Sequence, residues 1–125
     1  MKYLRMGLKS MDNKKTDEYY IQKVIDDIEF VIAHAGGLSR EEFNQNDVLI
    51  DSVMFRLIQV SENSDKLSEA FKTQHMQIPW RALKGMRNRI VHEYGNVDFS
   101  VVYDTVQSDL PELLGTLKTA LTAKD

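Results

Sequence analysis

At 125 residues, of which 42% are hydrophobic, the chain can build one compact domain with a real core and is too short for two ordinary ones. It has no cysteine, which removes disulfides, thiolate chemistry and Cys-based zinc or iron–sulfur sites and suits a reducing cytoplasm. A net charge of −3 argues against nucleic-acid binding by bulk charge, so any such contact must come from a local patch, and no apolar run nears the roughly 20 residues of a membrane span.

Met1 to Lys15 is polar and basic, with a second methionine at Met11, and reads as a flexible leader or tag ahead of a single helical domain over 16–123. The first helix is predicted from about Asp17 to Ala35, because Ile21, Val24, Ile25, Ile28, Val31 and Ile32 recur at helical spacing. Gly36-Gly37 should end it through a left-handed cap. Ser39-Arg40-Glu41-Glu42 has the form of a capping box and starts a short helix through Phe43.

Asn46-Asp47 then caps a long pattern of Ile50, Val53, Met54, Leu57, Ile58, Leu67 and Phe71, which reads as one helix with a polar waist at Ser61, Asn63 and Ser64. Ile78-Pro79 marks the next start, since proline disfavours helical geometry in the residue before it and fits a first helical turn. Gly95-Asn96 closes that helix and Asp98 caps the last, whose apolar pattern runs on past Pro111 and predicts a helix kinked there or two abutting ones. No segment reads as strand. The expected fold is all-α, an up-and-down helical bundle of four main helices plus a short one.

The chemistry concentrates between Pro79 and Tyr94, where Arg81, Lys84, Arg87 and Arg89 face only Glu93, a local charge of +3. At about 100° per residue, Trp80, Leu83, Ile90, Val91 and Tyr94 share one side, and Arg87 falls in its middle. A guanidinium among core positions needs a partner or a task, and Glu62, beside the polar waist, is the carboxylate expected opposite it. Arg81, Gly85, Asn88 and His92 lie within about 60° of one another on the adjacent face.

His92 has the side chain best suited to moving protons near neutrality, Asn88 stands one turn before it, and Arg87 supplies a planar donor array for phosphate. These are parts for phosphodiester cleavage in RNA, where the neighbouring 2′-hydroxyl can be the nucleophile and no metal is strictly needed. Arg81, Lys84 and Arg89 would hold the RNA, and mid-helix Gly85 hints at a partner helix approaching closely. The plainer reading makes His92 a capping histidine and the arginines a solvated face. His34 and His75 read as cap or surface histidines, and no H-E-x-x-H or similar spacing proposes a metal site.

With those residues in place, the sequence resembles the HepT family, a branch of the HEPN superfamily of small helical proteins. The likeness spans nearly the whole chain after Met11 and includes Ile78-Pro79-Trp80-Arg81, Gly85-Met86-Arg87-Asn88-Arg89, His92-Glu93-Tyr94 and Asp109-Leu110-Pro111-Glu112-Leu113. The family hallmark, an arginine, a polar residue, three more residues and then a histidine, stands as Arg87, Asn88, Arg89-Ile90-Val91 and His92, and Tyr94 completes the extended form. In the long helix, Val60-Ser61-Glu62-Asn63-Ser64 keeps Glu62 among neighbours more polar than is usual for the family.

The resemblance implies the toxin of a prokaryotic, type VII-like toxin–antitoxin pair, a metal-independent endoribonuclease without cofactor. Arg87 and His92 would be catalytic with Asn88 assisting, and a minimal nucleotidyltransferase antitoxin would silence the site by AMPylation of Tyr94. Cleavage calls for both a general acid and a general base, yet each chain offers one suitable histidine, which predicts a homodimer. Two alternatives remain at this point: a non-catalytic RNA- or nucleotide-binding partner of a nucleotidyltransferase, and a purely structural helix with Arg87 in an intersubunit ion pair.

Overall fold

The computed structural model describes residues 15–122. The leader expected over residues 1–15 lies outside them except for Lys15, as does position 123 at the expected end of the domain. The elements are α1 (Asp17–Ala35), α2 (Arg40–Asn44), α3 (Asp47–Asp65), α4 (Glu69–Gln74), α5 (Trp80–Glu93), a 3-10 turn (Tyr94–Asn96), α6 (Phe99–Asp104), a π-helical turn (Thr105–Asp109) and α7 (Leu110–Thr122). The described residues contain no strand, and α6, the π turn and α7 follow one another without a loop as the last long helix. The fold is the all-α bundle, with two short helices where one was anticipated.

The apolar spacing of α1 buries Ile21, Val24, Ile28 and Val31, and that of α3 buries Val53, Met54, Leu57 and Val60. α1 packs between α3 and α7, with Val106, Leu110 and Leu117 completing the core and Phe43 of α2 fully buried. Each large aliphatic side chain taken from water in this way contributes roughly 1.5–3 kcal/mol. Among these apolar residues Asp27 is 7% exposed, and it accepts from Arg56 Nη1 at 2.7 Å, so the buried carboxylate is paired across α1 and α3. The Arg56 guanidinium lies 3.9 Å over the Phe30 ring. α5 packs on α3 and leaves a groove of about 570 Å³ against the last helix, lined among others by Leu83, Met86, Val101, Leu110 and Leu113.

Local polar bonds set the helix ends. Thr16, Ser39, Asn46 and Asp98 all cap the helices that follow them, and Ser39 with Glu42 forms the full capping box. The Ser39 amide and hydroxyl bonded to Glu42 hold its carboxyl below the usual range. Two expectations are corrected. The long pattern from Asn46 to Phe71 is two helices, because Ser64 Oγ and Asn63 Nδ2 turn back onto the carbonyls of Val60 and Gln59 and a new cap begins at Ser68. Asp17 fixes that cap, accepting from the Ser68 amide at 2.8 Å and its hydroxyl at 2.7 Å.

Gly36 is right-handed, at φ −67°, so no left-handed cap ends α1. A side chain there would place its Cβ 2.6 Å from the Ile32 carbonyl oxygen, so the position needs glycine for space. At Pro111, where a kink was anticipated, the recorded feature is the π turn immediately before it, in which the Leu110 amide reaches back to the Thr105 carbonyl. A wider turn gives room to a residue that has no N–H to offer and whose ring crowds the preceding turn.

Asp17→Ala should lower stability to urea by about 0.5–2 kcal/mol, because the half-buried start of α4 loses both acceptors. Val48→Ala, at a side chain 81% exposed, should move it by no more than about 0.5 kcal/mol.

Candidate active site on helix α5

α5 is the most polar of the long helices, and only Leu83 and Ile90 along it are buried. Pro79 precedes it without a side-chain cap, and the helix is fastened at its start by Trp80, whose indole N–H donates to the Lys72 and His75 carbonyls at 3.2 and 3.1 Å. That bond satisfies carbonyls at the end of α4, where the His75 ring stacks on Phe71. His34 is likewise local, with Nδ1 2.8 Å from the Phe30 carbonyl and its ring on Phe30.

Arg87 lies between Leu83 and Ile90 on the side of α5 that faces α3, and its Nε donates to Glu62 Oε1 at 2.6 Å. The partner inferred from the sequence pattern is therefore the one present. Arg87 Nη1 also donates to Asn88 Oδ1 at 3.1 Å. The two charged side chains are 36% and 40% exposed, so the pair adds at most about 1 kcal/mol to stability and acts chiefly to orient the guanidinium. A shallow cavity of about 180 Å³ lies over it, lined by Ser61, Glu62, Asp65, Lys84, Arg87 and Asn88.

The remaining candidates divide. Lys84 joins Arg87 and Asn88 at that cavity, whereas Arg89 lines the groove on the opposite flank with Met86 and Asp109. Arg81 is exposed near the start of the helix. The cationic run is thus a helix with basic groups on several sides, and Lys84 and Arg87 at the cavity stand beside Glu62 and Asp65. His92 is exposed one turn beyond Asn88, and no hydrogen bond engages it among the described residues. Gly85 has open space where a Cβ would go, so no described part of the fold requires a glycine there.

Tyr94, like Arg87, reaches α3. Its hydroxyl donates to Asp51 Oδ1 of α3 at 2.6 Å, 43 residues away in sequence. That hydrogen bond, then partial burial and the Asp51 charge, raise the phenol above its ordinary value of 10.0. Asp51 is a functional candidate that the sequence signals only weakly: it precedes Glu62 by three turns on one stripe of α3, as Arg87 precedes Tyr94, just past the end of α5, by about two. Among the described residues no group of three or more His, Asp or Glu is placed to hold a metal ion, and no helix is long and apolar enough to cross a membrane.

The described residues form a small all-α domain that carries Arg87, Asn88 and an unengaged His92 on one helix at its edge. The chain belongs to the ribonuclease HepT-like family, which matches residues 21–120. It is 30% identical over 107 residues to a protein of Caldanaerobacter subterraneus subsp. tengcongensis named "Putative RNase", covering 86% of this chain and 96% of that one. It is 29% identical over 102 residues to "Probable ribonuclease HepT" of Thermococcus cleftensis, covering 82% and 93% respectively. No solved structure matches it.

The Tyr94–Asp51 bond has a pH signature. Because folding raises the phenol above 10.0, its contribution is fully present below that value and is lost as the pH rises through the folded-state value. Denaturant unfolding should therefore show the wild type losing stability in that alkaline range, and Tyr94→Phe losing less.

Proposed function

We propose that the protein is a metal-independent endoribonuclease, the toxin of a toxin–antitoxin pair, which cleaves RNA with Arg87, Asn88 and His92 and is silenced when a minimal nucleotidyltransferase antitoxin attaches AMP to Tyr94. The observation that carries the reading is the state of Arg87. Its Nε is spent on Glu62, which aims the rest of the guanidinium across Asn88, while His92 stands exposed and unengaged one turn further on. Family membership supports the same chemistry.

In this mechanism the RNA 2′-hydroxyl loses its proton to His92 and attacks the adjacent phosphorus. The new O2′–P bond forms as the P–O5′ bond breaks, and the departing 5′-oxygen takes a proton from an imidazolium. Arg87 neutralises the charge that gathers on the phosphoryl oxygens, and Asn88 donates to one of them. Since His92 would be the base, the proton for the leaving group comes from His92 of a second copy, which makes the working unit a homodimer. Arg81, Lys84 and Arg89 hold the flanking phosphates, a contact that weakens as salt is raised.

AMP on Tyr94 would bring a phosphodiester and a base beside the RNA site and occupy the place of the substrate. The nucleotidyltransferase therefore needs no contact with His92 to silence it.

The test is cleavage of a defined RNA in excess chelator by protein whose Tyr94 is shown bare by mass spectrometry. Wild type should cut, and His92→Ala and Arg87→Ala, both folded by circular dichroism, should lose about 10²–10⁴-fold. If neither the wild type nor the variants cut any of several RNAs, the protein is instead an RNA- or nucleotide-binding partner of the nucleotidyltransferase. A wild type that sediments as a monomer while fully active overturns the dimer.

A further inference from the structure

We propose that Asp51 is the proton acceptor and orienting residue for covalent modification of Tyr94, an inference that rests on Tyr94 being the AMPylation site. The described tyrosines differ in what their hydroxyls meet. Tyr103 donates to the Leu38 carbonyl at 2.6 Å, and the Tyr20 hydroxyl accepts from the Lys15 amide at 3.2 Å. Tyr19 is as exposed as Tyr94, at 44%, but packs edge-on to Tyr20 beneath the Lys15 ammonium. Only Tyr94, among these, combines an exposed ring with a hydroxyl bonded to a carboxylate. Exposure alone does not distinguish it from Tyr19; the carboxylate does.

The geometry separates the two tasks of a nucleophile. The phenolic proton lies on the line to Asp51 Oδ1 and is committed to α3, which leaves the oxygen's lone pairs free for an incoming electrophile. A neutral phenol is a poor nucleophile near neutrality, and this one is held neutral, so attack requires the proton to leave as the new bond forms. As Tyr94 Oη bonds to the α-phosphorus of ATP, the bond from that phosphorus to the bridging oxygen breaks. Pyrophosphate departs with its electron pair, and the phenolic proton passes to Asp51.

The product cannot restore the starting contact. The ester oxygen has no proton to donate, and the new phosphodiester carries a negative charge beside the Asp51 carboxylate. The modified side chain is driven off α3, so the residue that assists the transfer also disfavours a return to the unmodified position. The end of α5 loses one of its polar fastenings at the same time.

The experiment incubates the full chain with its cognate minimal nucleotidyltransferase and ATP and follows AMP on Tyr94 by mass spectrometry, for wild type, Asp51→Asn and Asp51→Ala. Asparagine keeps an acceptor for the hydroxyl but cannot take its proton. Both variants should retain helical circular dichroism, and both should be modified about 10²-fold or more slowly than wild type, with the apparent affinity for the nucleotidyltransferase unchanged in Asp51→Asn. Modification of Asp51→Asn at the wild-type rate overturns the proton-acceptor role, and with Asp51→Ala alone impaired it reduces Asp51 to a hydrogen-bonding anchor. A wild type that takes up no AMP overturns the AMPylation reading itself and this inference with it, an outcome distinct from the first two.

Discussion

Arg87 sits between two buried residues, Leu83 and Ile90, on the face by which α5 meets α3. The guanidinium is half-buried against the neighbouring helix, and Glu62 meets it there and orients it. An apolar side chain at position 87 would pack with less cost. The charge is therefore a local rule broken at a place where the surrounding core follows the rules, and such places are where function is to be sought. With both side chains partly exposed, the pair contributes little stability and much direction.

The division of labour among the helices follows. α1 and α3 carry the long buried stripes and, with α7, supply most of the core, while α5 buries two residues and lies at the edge. Three polar contacts hold it where its apolar surface alone would hold it weakly: the Trp80 indole at its start, the Arg87 guanidinium in its middle and the Tyr94 hydroxyl just past its end. A helix held this way keeps its remaining surface free, and Asn88 and His92 lie on that surface. The cost is an open groove against the last helix, where the π turn before Pro111 widens the backbone.

The bundle was legible because its signals are short-range. Apolar residues recurring at helical spacing gave α1, the first four turns of α3, and the start of α5 at Ile78-Pro79, and side-chain caps at Ser39, Asn46 and Asp98 did what their residue types suggest. Glu62 could be paired with Arg87 because a misplaced charge calls for one partner and the polar waist offered it. One difference came from a bond between segments distant in sequence, the other from a close local contact. Nothing within residues 61–71 reveals that Asp17 fixes a new cap at Ser68, and apolar residues on both sides of the break kept one helical phase. Gly36 was given the commonest reason for a glycine at a helix end, when the operative one is contact with the Ile32 carbonyl.

Asp51 escaped notice for a related reason: on its own helix it is an ordinary exposed acid, and only the packing of α5 brings a phenol to it. Its stripe on α3 then explains how the two ends of the candidate site are joined. Asp51 and Glu62 are about 16 Å apart along α3, and Arg87 and Tyr94 about 10 Å apart along α5. One of these unequally spaced contacts joins the long arginine and glutamate side chains. The other uses a tyrosine set where the helix tightens into the 3-10 turn. The guanidinium and the phenol are thus held on one rigid support, α3, rather than on each other. A charge placed on the phenol would reach Arg87 through space, as added negative potential about two helical turns away, without any need for α5 to unfold.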